Sequence, residues 1–153
     1  MYNIIQYNDK YKKETNDFII SIYVNEFGYK EARNELETSD YIEYINCNGN
    51  FWIALDNDNK IIGTIGIEYV NNDETYLKKL YVLKEYRGTG LAKELLNEVI
   101  QFSRKKGFKR IYLSTYGKLE RANSFYLKNG FIEYKNRNAN ELNGDERFYY
   151  IDI

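Results

Sequence analysis

Between an apolar run and an amphipathic one, the sequence carries Arg87-Gly88-Thr89-Gly90-Leu91-Ala92, preceded by Tyr81-Val82-Leu83-Lys84-Glu85-Tyr86. A strand that ends, turns through glycines and starts a helix aims free backbone N–H groups and the positive end of the helix dipole at one point. A phosphate or pyrophosphate is the natural occupant of that point. Gly88 and Gly90 permit backbone angles and close approach that a side chain would obstruct. Ala92 keeps the first helical turn small, and Arg87 adds a charge that does not titrate away at neutral pH. The turn is neither a GxxxxGK[ST] loop nor a dinucleotide GxGxxG, because the third glycine position is Lys93.

The rest of the composition limits the chemistry. With no His there is no imidazole base, no Ser-His-Asp or Cys-His pair and no histidine-ligated zinc, and the single cysteine, Cys47, excludes an internal disulfide and a CxxC site. Cys47 also has no basic cluster beside it in sequence, which argues against a cysteine nucleophile. The net charge of −1 hides a division: Leu77 to Arg137 holds 15 Lys/Arg against 5 Asp/Glu, and the remainder 7 against 18. A basic central stretch suits an anionic ligand. Between Glu26 and Glu43 lie Glu26, Glu31, Glu35, Glu37, Asp40 and Glu43 against Lys30 and Arg33, which would either attract a cationic ligand or simply solvate a helix face. The run from Arg104 to Arg110 fits a helix end and a strand start better than a nucleic-acid patch, and a pI near 5.7 agrees. No apolar run approaches the roughly 18 residues of a membrane helix. The opening MYNIIQYNDK lacks a signal-peptide layout, so a soluble, cytoplasmic chain of one domain over residues 1–153, with no membrane partner and no metal, is expected.

These groups need a frame to hold them. Tyr2 to Tyr7 predicts a strand, and Asp9 to Phe27 a helix from the spacing of Tyr11, Phe18, Ile19 and Ile22. Tyr29 to Ile45 predicts one or two further helical turns. Phe51–Leu55 and Ile61–Val70 predict a hairpin about Asp56-Asn57-Asp58-Asn59, and Tyr76 to Leu83 a third strand. Leu91, Leu95, Val99 and Phe102 mark one face of a helix that Gly107 ends. Ile111–Leu113 then predicts a strand, Leu119–Lys128 a helix, and Phe131–Lys135 with Arg147–Ile151 a final strand pair about Asn143-Gly144. The sum is a mixed α/β domain.

At Arg87, Gly90 and Ala92, behind Leu80-Tyr81-Val82, the chain resembles the [Q/R]-x-x-G-x-[G/A] signature of the GNAT superfamily of N-acetyltransferases, which use acetyl-CoA. Ala122-Asn123-Ser124-Phe125-Tyr126-Leu127-Lys128-Asn129-Gly130-Phe131 resembles that family's A-x-x-[L/F]-Y-x-K-x-G-F element, and Phe51–Ala54 and Ile62–Gly66 its earlier strand pair. The likeness runs from about Phe51 to Tyr134. It implies a GNAT-like single domain with a central sheet of six to seven strands, an antiparallel N-terminal half and flanking helices.

The resemblance also implies roles. Backbone groups of Tyr81 and Val82 would pair with the pantetheine arm in a gap of the sheet, and N–H groups of Arg87, Gly88, Thr89, Gly90, Leu91 and Ala92 would hold the pyrophosphate. Tyr126 matches the tyrosine that protonates the CoA sulfur, and a phenol stays a proton donor at neutral pH. Leu119, Ala122 and Tyr126 also form an apolar helix stripe, so packing alone would account for that tyrosine. The strand position where relatives carry a catalytic Glu is Tyr76, and the nearest carboxylates are Glu68 and Glu74. Glu68, amid Ile65, Ile67, Tyr69 and Val70, is the better candidate base if partly buried with a raised pKa, a solvated strand-face Glu being the other reading. Leu119 stands where many relatives place Asn, and Asn123 is the candidate for the missing cofactor contact. The acceptor is expected to be a small cationic amine or a peptide amine, acetylated by direct transfer, and a homodimer is possible by analogy. A non-catalytic acyl-CoA sensor is the alternative reading, and another phosphate ligand a further one.

Overall fold

The apolar patterns become strands and helices with bounds shifted by one to three residues. In the computed structural model, which describes residues 1–28, 39–136 and 144–153, the order is β1 (Tyr2–Gln6), α1 (Lys12–Asn25), α2 (Ile42–Asn46), β2 (Asn50–Asp56), β3 (Ile61–Tyr69), β4 (Glu74–Val82), α3 (Leu91–Lys106), β5 (Arg110–Tyr116), α4 (Glu120–Lys128), β6 (Ile132–Tyr134) and β7 (Glu146–Asp152). A tight 3-10 turn at Asp9–Tyr11 precedes α1, so the expected helix from Asp9 opens with a turn of different winding. Most of the expected helical stretch from Tyr29, with Lys30, Glu31, Arg33, Glu35 and Glu37, lies outside the described residues, as does Asn143.

The strands form one seven-stranded sheet in the order β1-β2-β3-β4-β5-β7-β6. Every neighbouring pair is antiparallel except β4–β5. This is the mixed sheet with an antiparallel N-terminal half and flanking helices that the sequence implies.

Each face of the sheet has its own core. Strand alternation sends Phe51, Ile53 and Leu55 of β2 toward α1, where they meet Phe18, Ile19, Ile20 and Ile22. Trp52 and Ala54 point the other way, into a cluster with Ile65, Ile67, Leu77 and the α3 residues Leu91, Leu95, Leu96 and Val99. Burying each such α3 side chain contributes roughly 1.5–3 kcal/mol. Gly107 closes α3 in the left-handed region at φ 82°, with Gly107 N–H on Arg104 C=O at 3.1 Å and Phe108 N–H on Ser103 C=O at 2.9 Å. That is the Schellman pattern, and buried Phe108 supplies its apolar contact.

The feature that matters for function is how little β4 and β5 share. They pair only at Glu74–Arg110, Thr75–Ile111 and Tyr76–Tyr112. The root is fastened by Lys109 and Arg110 N–H on Asp73 C=O and by Tyr112 O–H on Glu74 at 2.6 Å. Beyond Tyr76 the strands part, while β5 stays paired with β7 as far as Tyr116. The result is a wedge-shaped cleft walled by backbone.

Two measurements check this frame. A Cβ at Gly66 would lie 2.7 Å from the ring of Phe51, which is fully buried and unable to swing aside. Gly66→Ala should therefore lower stability by about 1–3 kcal/mol in urea titrations. The hydrogen bond from Tyr112, then that from Asn71, holds the Glu74 carboxyl below its usual 4.5. A depressed carboxylate stabilises the fold above its unfolded pKa, and that share is lost as pH falls through the folded value. Tyr112→Phe should thus reduce stability at pH 7 and flatten its decline below about pH 4.5, and parallel wild-type and variant pH profiles would contradict this.

Candidate active site

The glycine turn lies at the open end of the cleft. A 3-10 turn, Lys84–Tyr86, carries the chain from β4 toward α3. Gly88 and Gly90 then take φ of 78° and 91°. An added Cβ would meet nothing within 4 Å at either position, so the demand for glycine is conformational and not a matter of space inside the protein. Glu94 N–H on Gly90 C=O is the first backbone bond of α3, and Gly90 offers no side-chain cap. Among the described residues, the backbone N–H groups from Gly88 to Lys93 have no acceptor. Thr89 spends its hydroxyl on Tyr86 C=O, and Leu91 buries its side chain in the core. These residues therefore offer an anion their N–H groups, backed by the helix dipole.

Arg87 spans the mouth of the cleft. Its Nε donates to Val82 C=O at 3.3 Å, and its Nη2 pairs with Glu26, just past the end of α1. Both side chains of this pair are about a quarter exposed, at 29% and 24%, so water screens it only in part.

Sheet geometry decides which peptide groups face the cleft. Leu83 N–H bonds Ile62 C=O at 2.8 Å, which makes Leu83–Ile62 a hydrogen-bonded antiparallel pair. Alternation then turns Tyr81 toward Thr64 on β3 and leaves Val82, opposite Gly63, facing away from β3. Val82 therefore turns its peptide group to the cleft, and the Arg87 bond to its carbonyl agrees. For Tyr81 the expectation is corrected: its N–H and C=O serve β3, and its side chain packs between Tyr23 and Phe27 of the α1 region.

A β-bulge precedes these residues. Gly66 pairs with Lys78 and Thr64 with Tyr81, so Lys79 and Leu80 together oppose Ile65. Lys79 sits in the left-handed region at φ 59°, at a cost of roughly 1–2 kcal/mol for a residue with a side chain. Fully buried Thr64 holds this shape by donating its hydroxyl to Lys79 C=O at 2.7 Å. Tyr81 O–H donates to Tyr23 at 2.7 Å, and the Lys79 ammonium lies 3.4 Å from the same Tyr23 oxygen. Burial, then the Tyr23 phenol, pushes the Tyr81 pKa well up, and Tyr126 is near enough to add to the effect.

Tyr126 projects from α4 into the core cluster that includes Val82 and Leu113. Its ring lies 5.5 Å from that of Phe131 and 6.0 Å from that of Tyr149, and burial raises its pKa. Its hydroxyl has no hydrogen-bond partner among the described residues. Packing explains the ring and leaves the hydroxyl unexplained. Asn123 is committed elsewhere: its amide donates to Tyr116 and Leu119 C=O, both at 2.8 Å, and accepts from Tyr149 O–H at 2.5 Å. It fastens the start of α4, so no free donor is left for a ligand.

Glu68 is the solvated strand-face carboxylate and not the buried one. It lies on the face of Gly66 and Tyr44, half-exposed, and pairs with Lys78 at 3.0 Å. A polar hollow of about 520 Å³ at the opposite end of the sheet, lined by Asn71, Asp73, Glu74, Lys109, Arg110 and Asp152 among others, has its charges matched internally through Lys109–Asp73 and Arg110–Asp152. Sequence patterns did not reveal Lys79, Thr64, Tyr23 or the Glu26 partner of Arg87. One signal existed for Lys79, since strict alternation from Thr75 and Leu77 would put its charge in the core.

No described helix is long and apolar enough to cross a membrane. Residues 16–131 match the family model for the acetyltransferase (GNAT) family. An N-alpha-acetyltransferase 30 from Schizosaccharomyces pombe is 37% identical over 103 residues, covering 65% of this chain and 69% of that protein. A rat N-acetyltransferase 8F1 is 31% identical over 58% of this chain, which spans only 42% of the rat protein. Among solved structures, a GNAT-family acetyltransferase from Staphylococcus aureus Mu50 superposes with TM-score 0.86 at 40% identity over 99% of both chains. A Bacillus anthracis protein solved with acetyl coenzyme A matches at TM-score 0.65 and 32% identity, over 76% of this chain and 70% of that one. With its sheet, its glycine turn and these relatives in agreement, the chain belongs to the GNAT acetyltransferase family.

Proposed function

We propose that this protein transfers an acetyl group from acetyl-CoA directly to a primary amine. The observation that carries the proposal is the join of two features: partnerless N–H groups from Gly88 to Lys93 and a cleft that begins where β4 and β5 stop pairing. The first suits a pyrophosphate, and the second accepts an extended arm alongside Val82. Bound acetyl-CoA would supply an activated thioester, and moving its acetyl group to the amine forms a C–N bond, breaks the C–S bond and releases the CoA thiolate.

The chain's own residues then have separate tasks. Val82 N–H faces the cleft and donates to charge developing on a carbonyl oxygen. Tyr126 keeps its proton because burial raises its pKa, and its uncommitted hydroxyl delivers that proton to a departing thiolate. Arg87 adds positive charge at the cleft mouth. The amine must lose a proton before or during attack. Water entering the open cleft is the proposed acceptor of that proton, because Glu68 is half-exposed and held by Lys78. A non-catalytic sensor would need none of the Tyr126 chemistry.

The cationic acceptor suggested by the acidic run gains little from the fold. Of its described members, Glu26 pairs with Arg87, Asp40 with Lys12, and Glu43 accepts from Asn46 and Cys47. A small amine or a peptide amine remains the proposed acceptor class, and the S. pombe relative's name concerns α-amines.

Thiol release from acetyl-CoA across an amine panel tests the proposal. Tyr126→Phe should lower kcat by about 10- to 100-fold, in keeping with loss of a general acid. Its acetyl-CoA affinity and melting temperature should hold, since the hydroxyl has no partner to lose. Unchanged turnover would remove Tyr126 from the chemistry, and acetyl-CoA binding with no turnover on any amine would favour the sensor. Glu68→Gln should leave kcat within about twofold, as expected for an exposed carboxylate outside the chemistry. Glu26→Gln should release Arg87 and tighten acetyl-CoA binding by about two- to fivefold. Weaker binding in calorimetry would instead make Glu26 the residue that positions Arg87.

A further inference from the structure

Two lysines stand side by side at the bulge of β4, and the fold treats them differently. Lys78 is neutralised by Glu68 at 3.0 Å. Lys79 has no carboxylate partner among the described residues. Its ammonium has one hydrogen-bond partner, the Tyr23 oxygen at 3.4 Å, and lies 5.2 Å from the centre of the same ring. Glu68, the carboxylate on this face of the bulge, is already committed to Lys78.

The placement of Lys79 is specified by the backbone. It occupies a left-handed conformation inside a strand, and buried Thr64 pins its carbonyl. Strain of this kind persists where the surroundings over-determine it, and it clusters at ligand sites. The ammonium lies beside an edge-to-face group of Tyr23, Phe27 and Tyr81, where a charge is felt more strongly than in open water. Tyr126 and the apolar cluster of α3 and α4 fill the opposite face of the sheet. Among the described residues, this leaves the face that carries Lys79 as the side from which an amine would approach the cleft.

We infer that Lys79 is a specificity-determining residue that binds a carboxylate on the acceptor, so that the preferred substrate is a primary amine bearing a carboxylate, as in a free amino acid. The inference rests on the acetyltransferase reading above for the position of the acceptor. The rest of it follows from a charge at the bulge that no carboxylate among the described residues pairs with. Lys79 binds and orients, and it takes no part in proton transfer.

Phenylalanine and phenethylamine differ by the carboxylate and serve as the probe pair. The wild-type protein should favour phenylalanine in kcat/KM by about 10- to 100-fold, the range for a hydrogen-bonded charge pair, and mainly through KM. Lys79→Gln should erase that ratio, and Lys79→Arg, which keeps the charge, should restore most of it. Equal use of both amines by the wild type, or a ratio that survives in Lys79→Gln, would overturn the inference while leaving the acetyltransferase reading intact. Calorimetry with N-acetylphenylalanine and N-acetylphenethylamine separates the two claims. Lys79-dependent binding of the first alone, with no amine turned over, would uphold the anion site and sink the transferase reading. Equal binding of both compounds, or binding of neither, would overturn the anion site whatever the turnover.

Discussion

Past Tyr76 and Tyr112, β4 and β5 abandon their pairing, and backbone polar groups that lose one partner must find another. Most of the site follows from that constraint. β5 keeps its bonds to β7 on its other edge, and β4 keeps its bonds to β3, so neither strand collapses into the gap. The bulge at Lys79 and Leu80 bends β4 away from β5, as an extra residue in one strand does. Thr64 holds the bulge, and Glu74, Tyr112 and Asp73 hold the root. The cleft is thus a wedge fixed at its narrow end and walled by peptide groups of Val82 and the upper part of β5.

Charge is arranged around this wedge with economy. Arg87 bridges Val82 C=O and Glu26, so the cation aimed at the cleft mouth has a counter-charge until an anionic ligand competes for it. Lys78 and Glu68 cancel one another on the face near α1. Lys79 beside them has no such partner among the described residues. The basic excess between Leu77 and Arg137 is therefore several distinct features. Part is the end of α3, where Arg104, Lys105 and Lys106 complement the helix dipole. Part is spent in the pairs of Lys109 and Arg110. Arg87 and Lys79 lie at the cleft, with Lys84 and Lys93 in the turn and first helical residues beside it.

Local patterns made most of the frame legible. Helix α3 was readable from its four-residue apolar spacing and from Gly107, because a helix buries one stripe and a left-handed cap favours glycine. The glycine turn was readable for the same reason, since two positive φ angles, at Gly88 and Gly90, leave a sequence mark. Long-range facts were not. That Glu26 meets Arg87 across 61 positions, or that Asn123 is committed to Tyr116, Leu119 and Tyr149, depends on how elements pack. Tyr81 shows a finer limit. The family resemblance implied a cofactor contact, but one step of strand alternation turned its peptide groups to β3 and left Val82 facing the cleft. Glu68 failed as a buried base because its apolar neighbours in sequence point to the other face or lie past the covered part of the sheet.

The central claim is that the N–H groups from Gly88 to Lys93, partnerless among the described residues, hold the pyrophosphate of acetyl-CoA. Amide hydrogen exchange with and without acetyl-CoA tests it most directly. The account predicts strong slowing at Gly88 to Lys93 and at Val82, with ATP giving at most a weaker effect confined to the turn. Tight acetyl-CoA binding that leaves these amides exchanging at their free rate would contradict it and place the ligand elsewhere on the fold.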